Sequence, residues 1–246
     1  MKNYKIILFT LSFIGLMITS CEDPSVEALG SNDTSQVTYL PLITLEGGDV
    51  VLDCDATSYT DPGAVATAGG EEIELFTNVT GLYFGGSEIN GPDSYTVAYS
   101  AFNDDGIAAA GFRSVLWPPC DGDFVTSIAG TYTAISLKRA PGYSTSGMEV
   151  IIKDLGNGVY AISDAIGGWY DQEYGYGPDY AATGMTVTAN DIPNNDFTLD
   201  GASTLPWGGL IQLTDFSVDP VAKTVSYTTT WEGYPYVWDV TLALVN

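Results

Sequence analysis

Histidine is missing from this 246-residue chain, and only 7 lysines and arginines face 31 aspartates and glutamates. Without imidazole there is no Ser-His-Asp or Cys-His machinery and no histidine-ligated metal site. A formal net charge of -24 argues against binding nucleic acid, which requires cationic groups to displace counterions from phosphate. Cysteine is scarce, at 3 residues, and nothing in the sequence calls for a cofactor. The apolar run from Ile6 to Ile18 is shorter than the roughly 20 residues that a membrane span needs. What is present is 45% hydrophobic residues, enough for a sizeable core, together with 28 glycines and 16 tyrosines. That balance, poor in helix formers, points to an all-β chain of one or two domains.

Lys2 and Lys5 stand ahead of the Ile6 to Ile18 run, so residues 1–20 read as a secretory signal. Ile18-Thr19-Ser20-Cys21 resembles a bacterial lipobox, in which small residues admit the peptidase and the Cys21 thiol accepts diacylglycerol. Glu22-Asp23 resembles the acidic export tag of surface lipoproteins in the Bacteroides group. Residues 21–37, polar and poor in large apolar side chains, then form the lipidated start and a flexible tether. These features imply an outer-membrane lipoprotein facing the cell exterior, held to the membrane by its N-terminal lipid. With Cys21 committed to lipid, Cys54 and Cys120 remain, and two readings stay open for them. They form a disulfide, as export permits, or they are two free thiols.

Residues 38–119 carry turn signals at Asp61-Pro62-Gly63, Gly69-Gly70, Gly91-Pro92-Asp93 and Asp104-Asp105-Gly106, spaced as in a β-sandwich. Ser94 to Ala101 alternates with Tyr95, Val97 and Tyr99 on one face, and Gly111 to Trp117 reads as a final strand stopped by Pro118-Pro119. Ile43-Thr44-Leu45, Tyr59 to Ala64, Ser94 to Tyr99 and Arg113-Ser114-Val115 together resemble a bacterial surface Ig-like repeat. That repeat is also found in an insecticidal crystal toxin and is close to the hyalin-type repeat; the resemblance implies a spacer or adhesive module. Asn103, Asp104 and Asp105 offer oxygens to calcium, but a tight turn explains the same residues.

Residues 120–246 read as a second antiparallel β domain, barrel-like or a sandwich, with strands over 130–137, 149–153, 158–163, 185–189, 197–199, 223–231 and 237–244. Within it, Gly167 to Tyr180 places Trp169, Tyr170, Tyr174, Tyr176 and Tyr180 among glycines and acids, and Trp207 follows. Flat rings beside carboxylates and amides suit a sugar, whose C–H face stacks while its hydroxyls are hydrogen-bonded. The competing reading is that these rings fill the core at the end of a barrel. The Gly130-Thr131-Tyr132, Gly158 to Asp164, Gly-Trp-Tyr and Tyr-Gly motifs resemble the C-terminal domain of an uncharacterised Bacteroides-group lipoprotein family. Such proteins are often encoded beside glycan-uptake systems of the starch-utilisation type, which implies uptake proteins as partners.

Two carboxylates suffice for glycoside hydrolysis at about 5 Å or roughly 6.5–9.5 Å separation, and Asp164, Asp171, Glu173 and Asp179 flank the aromatic segment. Acids are so abundant here that their presence is expected by chance, and a non-catalytic role is favoured. The expectation is capture of a neutral polysaccharide or oligosaccharide, since like charges repel acidic ones at long range. The alternative is a structural or adhesive protein that contacts other proteins.

Overall fold

The computed structural model describes residues 37–245, so the signal segment, Cys21 and most of the tether lie outside the described residues. From Leu40 onward the chain forms one compact unit. Its first part is a sandwich of two sheets. One contains β1 (Pro41–Leu45), β3 (Ala64–Ala68) and β4 (Glu71–Glu72); the other runs β2-β7-β6-β5, from β2 (Val50–Val51), β7 (Ala108–Trp117), β6 (Asp93–Phe102) and β5 (Leu75–Gly81). Period-2 alternation in β6 turns Tyr95, Val97, Tyr99 and Ala101 inward, where they are buried. Val115 and Trp117 join them, and Ile43, Leu45 and Ala64 pack on this core from the facing sheet.

One polar knot crosses that core. Arg113, fully buried, is ion-paired with Asp61, and its Nη2 donates to the carbonyls of Glu46 (2.7 Å) and Gly63 (3.1 Å). The Tyr59 and Tyr99 hydroxyls also donate to Asp61. A buried charge is tolerated only when paired and hydrogen-bonded in this way. The turn after β6 is closed by the Ile107 N–H donating to Asn103 Oδ1 (2.7 Å) and the Gly106 N–H donating to the Asn103 carbonyl (2.9 Å). Cys54 and Cys120 are joined by a disulfide, their Cα atoms 4.8 Å apart, which ties the loop after β2 to the chain leaving β7.

The second part is one antiparallel sheet curled into a half-barrel. Its strands are β8 (Gly130–Ala140), β9 (Tyr143–Thr145), β10 (Glu149–Gly156), β11 (Val159–Ile162), β12 (Met185–Asp191), β13 (Asp196–Asp200), β14 (Ser203–Thr204), β15 (Leu210–Asp219), β16 (Thr224–Trp231) and β17 (Val237–Leu244). They lie in the order β13-β12-β11-β10-β8-β17-β16-β15-β14, with β9 paired to β8. The first long strand therefore sits beside the last in the middle of the sheet, Leu137 opposite Val240. Of the two sequence alternatives this is the barrel-like one, left open between β13 and β14. Asn157-Gly158, with positive φ at both residues, makes the tight hairpin between β10 and β11. The core on the inner face gathers Tyr132, Leu137, Ile152, Ile162, Met185, Val225 and Val240.

Candidate functional site at one end of the half-barrel

The end of β8, the start of β10, the end of β11, the start of β15, the end of β16 and the start of β17 all open toward the same end of the half-barrel. A long segment, residues 163–184, leaves β11 there, covers the opening and returns to β12. It is anchored by Asp164, fully buried, whose Oδ1 accepts the N–H groups of Ile166 (2.9 Å) and Ala182 (3.0 Å). Its Oδ2 accepts that of Gly168 (3.1 Å). The Tyr227 hydroxyl donates to the Asp164 carbonyl (3.1 Å) and Thr229 Oγ1 to that of Ala165 (2.6 Å). Complete burial without a cation pushes the Asp164 carboxyl up to about 7, against the opposing pull of its N–H donors.

Gly167 and Gly168 bring the backbone onto the core at φ 68° and 82°. A Cβ on Gly168 would lie 2.7 Å from Met148 Cβ, so only glycine fits both the turn and the space. Gly168→Ala is expected to cost about 1–3 kcal/mol, read as a shift in the urea midpoint. A π-helical turn, Trp169–Glu173, and a short 3-10 turn, Pro178–Tyr180, follow. Gln172 clips the first of these to β10, accepting from the Glu149 N–H (2.8 Å) and donating to the Glu149 carbonyl (2.7 Å). Asp171 accepts a hydrogen bond from the Tyr83 hydroxyl (2.8 Å), which joins the turn to the sandwich.

The structure divides the sequence-predicted ligand residues into two tiers. Trp169 and Tyr170, candidate ligand contacts with core filling as the competing reading, are buried at 2% and 7% exposure, which corrects their assignment as direct contacts: the segment packs its first two rings into the core because Gly167-Gly168 drop the backbone onto it. Tyr174, Tyr176 and Trp207 are exposed, and Tyr180 is half-buried beside them. Their centroids stand 5.7 Å apart for Tyr174–Tyr176, 5.2 Å for Tyr176–Tyr180 and 5.0 Å for Tyr180–Trp207. Tyr170 supports this tier from beneath, 4.9 Å from Trp207 and stacked at 6.3 Å on Tyr176. Trp207 rides a loop held by the Trp231 indole N–H, which donates to the Gly208 carbonyl (2.9 Å). Tyr234, also exposed, stacks on Trp231 at 4.0 Å and extends the surface. The result is a run of accessible rings on a rigid aromatic bed.

Arg139, which sequence reasoning missed, lies in this bed. Its guanidinium sits 4.5 Å from the ring centroids of Tyr143 and Tyr236 and 5.1 Å from that of Trp169. Among the described residues the one ion pair is Arg113–Asp61, so no carboxylate neutralises Arg139, although it is 9% exposed. Ring faces return about 2 kcal/mol to a desolvated cation, less than the several kcal/mol that removal from water costs. The signal that could have found it is scarcity: Arg139 is one of 7 basic residues, and it lies near the end of a strand that alternates into the core.

The four flanking carboxylates do not form a free pair. Both oxygens of Asp164 are taken by backbone N–H groups, Asp171 is bound by Tyr83, Glu173 accepts from Thr145 Oγ1 (2.9 Å), and Asp179 is exposed. Among the described residues no group of three or more acids and cysteines is arranged to hold a metal ion. No helix among them is long and apolar enough to cross a membrane.

A protein-family model described as a C-terminal domain ("-like, C-terminal domain") matches residues 121–244, half of the chain and the whole half-barrel. The crystal structure of the lipoprotein BT2262 from Bacteroides thetaiotaomicron is similar at a TM-score of 0.56 and 28% identity, covering 83% of this chain and 100% of that one. No curated protein matches the sequence.

Proposed function

This chain belongs to the family that carries that C-terminal domain, and from this premise we propose that it is a lipoprotein, like the Bacteroides protein it resembles, and captures glycan at the cell surface without cleaving it. The observation that carries the reading is the exposed tier of Tyr174, Tyr176, Trp207 and Tyr234, held open on buried rings. Large rings left in water are unfavourable, and such a contiguous patch marks an interaction site. Each ring offers a flat face to a pyranose, and the neighbouring Tyr hydroxyls supply donors and acceptors. In this reading Cys21 carries the lipid, the protein faces outward from the outer membrane, and uptake proteins are its partners.

The test is affinity electrophoresis of residues 22–246 against a panel of polysaccharides, with tryptophan fluorescence alongside. Trp207→Ala and Tyr176→Ala are each expected to weaken retention about tenfold, taking on the order of 1 kcal/mol or more per stacked ring. Their melting temperatures should stay close to the parent's, because both side chains are half exposed. Retention unchanged in both variants, or absent across the panel, sinks the reading.

A second reading, contact with other proteins, draws on the outer face of the sandwich. There Phe76 on β5, Phe102 on β6 and Phe112 on β7 are exposed, with Phe76 and Phe102 edge to face at 6.4 Å. Glycan-independent crosslinking lost on Phe112→Ser would favour it.

A further inference from the structure

We propose that the captured glycan is acidic, and that Arg139 receives its carboxylate. This rests on the glycan-capture reading and specifies its ligand. Three buried donors in the aromatic bed lack any hydrogen-bond partner: Arg139 Nε, Trp169 Nε1 and Trp238 Nε1. They share one locality, since the guanidinium lies over Trp169 and over Tyr236, whose ring is 6.0 Å from that of Trp238. Arg139 and Trp238 are also direct partners across β8 and β17. The spot is thus rich in donors, holds a full positive charge, and is supplied with no anion by the protein.

Buried cations are normally paired, and orphaned buried donors are rare. A planar guanidinium with a free edge matches the two oxygens of a carboxylate in a forked arrangement. Of the rings that flank it, Tyr143 is the exposed one, on the short β9 strand, so the approach to the guanidinium runs past Tyr143. Tyr174, 5.8 Å from Trp169, connects this spot to the exposed tier. One chain of sugars therefore stacks on the tier while one carboxylate reaches Arg139.

The net charge of -24 set the opposite expectation, a neutral ligand. Range decides between the two. The diffuse surface charge is screened over about 8 Å at physiological ionic strength, whereas a buried guanidinium is screened far less. Repulsion slows the encounter; the local cation governs what stays bound.

The experiment compares polygalacturonate, alginate and hyaluronan, each beside its methyl-esterified or carboxyl-reduced form, by affinity electrophoresis and fluorescence titration of the 22–246 protein. At least one acid form is expected to bind ten times or more tighter than its neutral counterpart. Arg139→Gln should bring that ratio near one by weakening the acid form, and Arg139→Lys should give an intermediate ratio. Monomeric glucuronate should displace the acid polysaccharide where glucose does not, a readout that stands even if the Gln variant fails to fold. Equal binding of acid and neutral forms overturns the carboxylate assignment and leaves glycan capture standing. No binding of any form, with no fluorescence change, overturns both.

Discussion

Asp164→Ala lowers stability by about 3–9 kcal/mol, because it strands the buried N–H groups of Ile166, Gly168 and Ala182, each costing about 1–3 kcal/mol once unsatisfied. A domain has only about 5–15 kcal/mol to lose, so the variant is close to unfolding at ambient temperature. Asp164→Asn should fall between, since its amide keeps one acceptor but turns a donor toward the N–H groups. Paired urea melts give both values; a loss below about 1 kcal/mol for the alanine variant would mean that residues 163–184 are held by their rings alone. The same residue sets a pH slope. Its folded-state value, about 7, lies above the unfolded value of about 3.9, so folding takes up a proton. The stability this gives is complete below about pH 4 and is lost as pH rises through about 7, at up to about 1.4 kcal/mol per unit. Subtracting the Asp164→Asn profile isolates that slope, because other buried acids such as Asp93 and Asp171 are common to both proteins. Parallel profiles between about pH 4 and pH 7 would show that Asp164 stays ionised in the fold.

Removing the Cys54–Cys120 bridge by the double Cys→Ser change is expected to cost about 4 kcal/mol, the chain-entropy value for a span of 66 residues. The loss falls on the sandwich, whose core is small: Tyr95, Val97, Tyr99, Val115 and Trp117 with their partly buried neighbours. The ring surface stands on the half-barrel, so glycan retention per folded molecule should be unchanged. Melting curves with and without reductant provide the check, and an unaltered midpoint on reduction would refute a structural role for the bridge.

The strands that were legible in the sequence are those with clean alternation or a flanking stop. β6 shows both faces of its period, β7 ends at Pro118-Pro119, and the Asn157-Gly158 turn fixes the β10–β11 hairpin. Others lacked that signal for physical reasons. β3, Ala-Val-Ala-Thr-Ala, has side chains too small to mark an inner face. In β15 a register shift between Leu213 and Asp215 breaks the alternation, so the strand does not show as a period-2 run. At the site, residue type alone announced the aromatic segment, but its tiers depend on where Gly167-Gly168 set the backbone. Arg139 was invisible because its neighbours, Tyr143, Trp169 and Tyr236, come from three separate places in the chain. Folding, not spacing, gathers them.

The central pairing of β8 with β17 has a kinetic consequence. Leu137 meets Val240 across about a hundred residues of chain, so the middle of the sheet is its most non-local contact. Closing so long a loop precedes any reward from the pairing, and topologies of this kind fold slowly. A chain delivered N-terminus first cannot complete the half-barrel until the eight residues of β17, Val237–Leu244, have arrived. Until then β8 and β16 each present an unpaired edge, the kind of surface on which chains associate wrongly. Ordered assembly therefore depends on keeping copies apart during delivery, and a like-charged chain of net charge -24 does so by mutual repulsion.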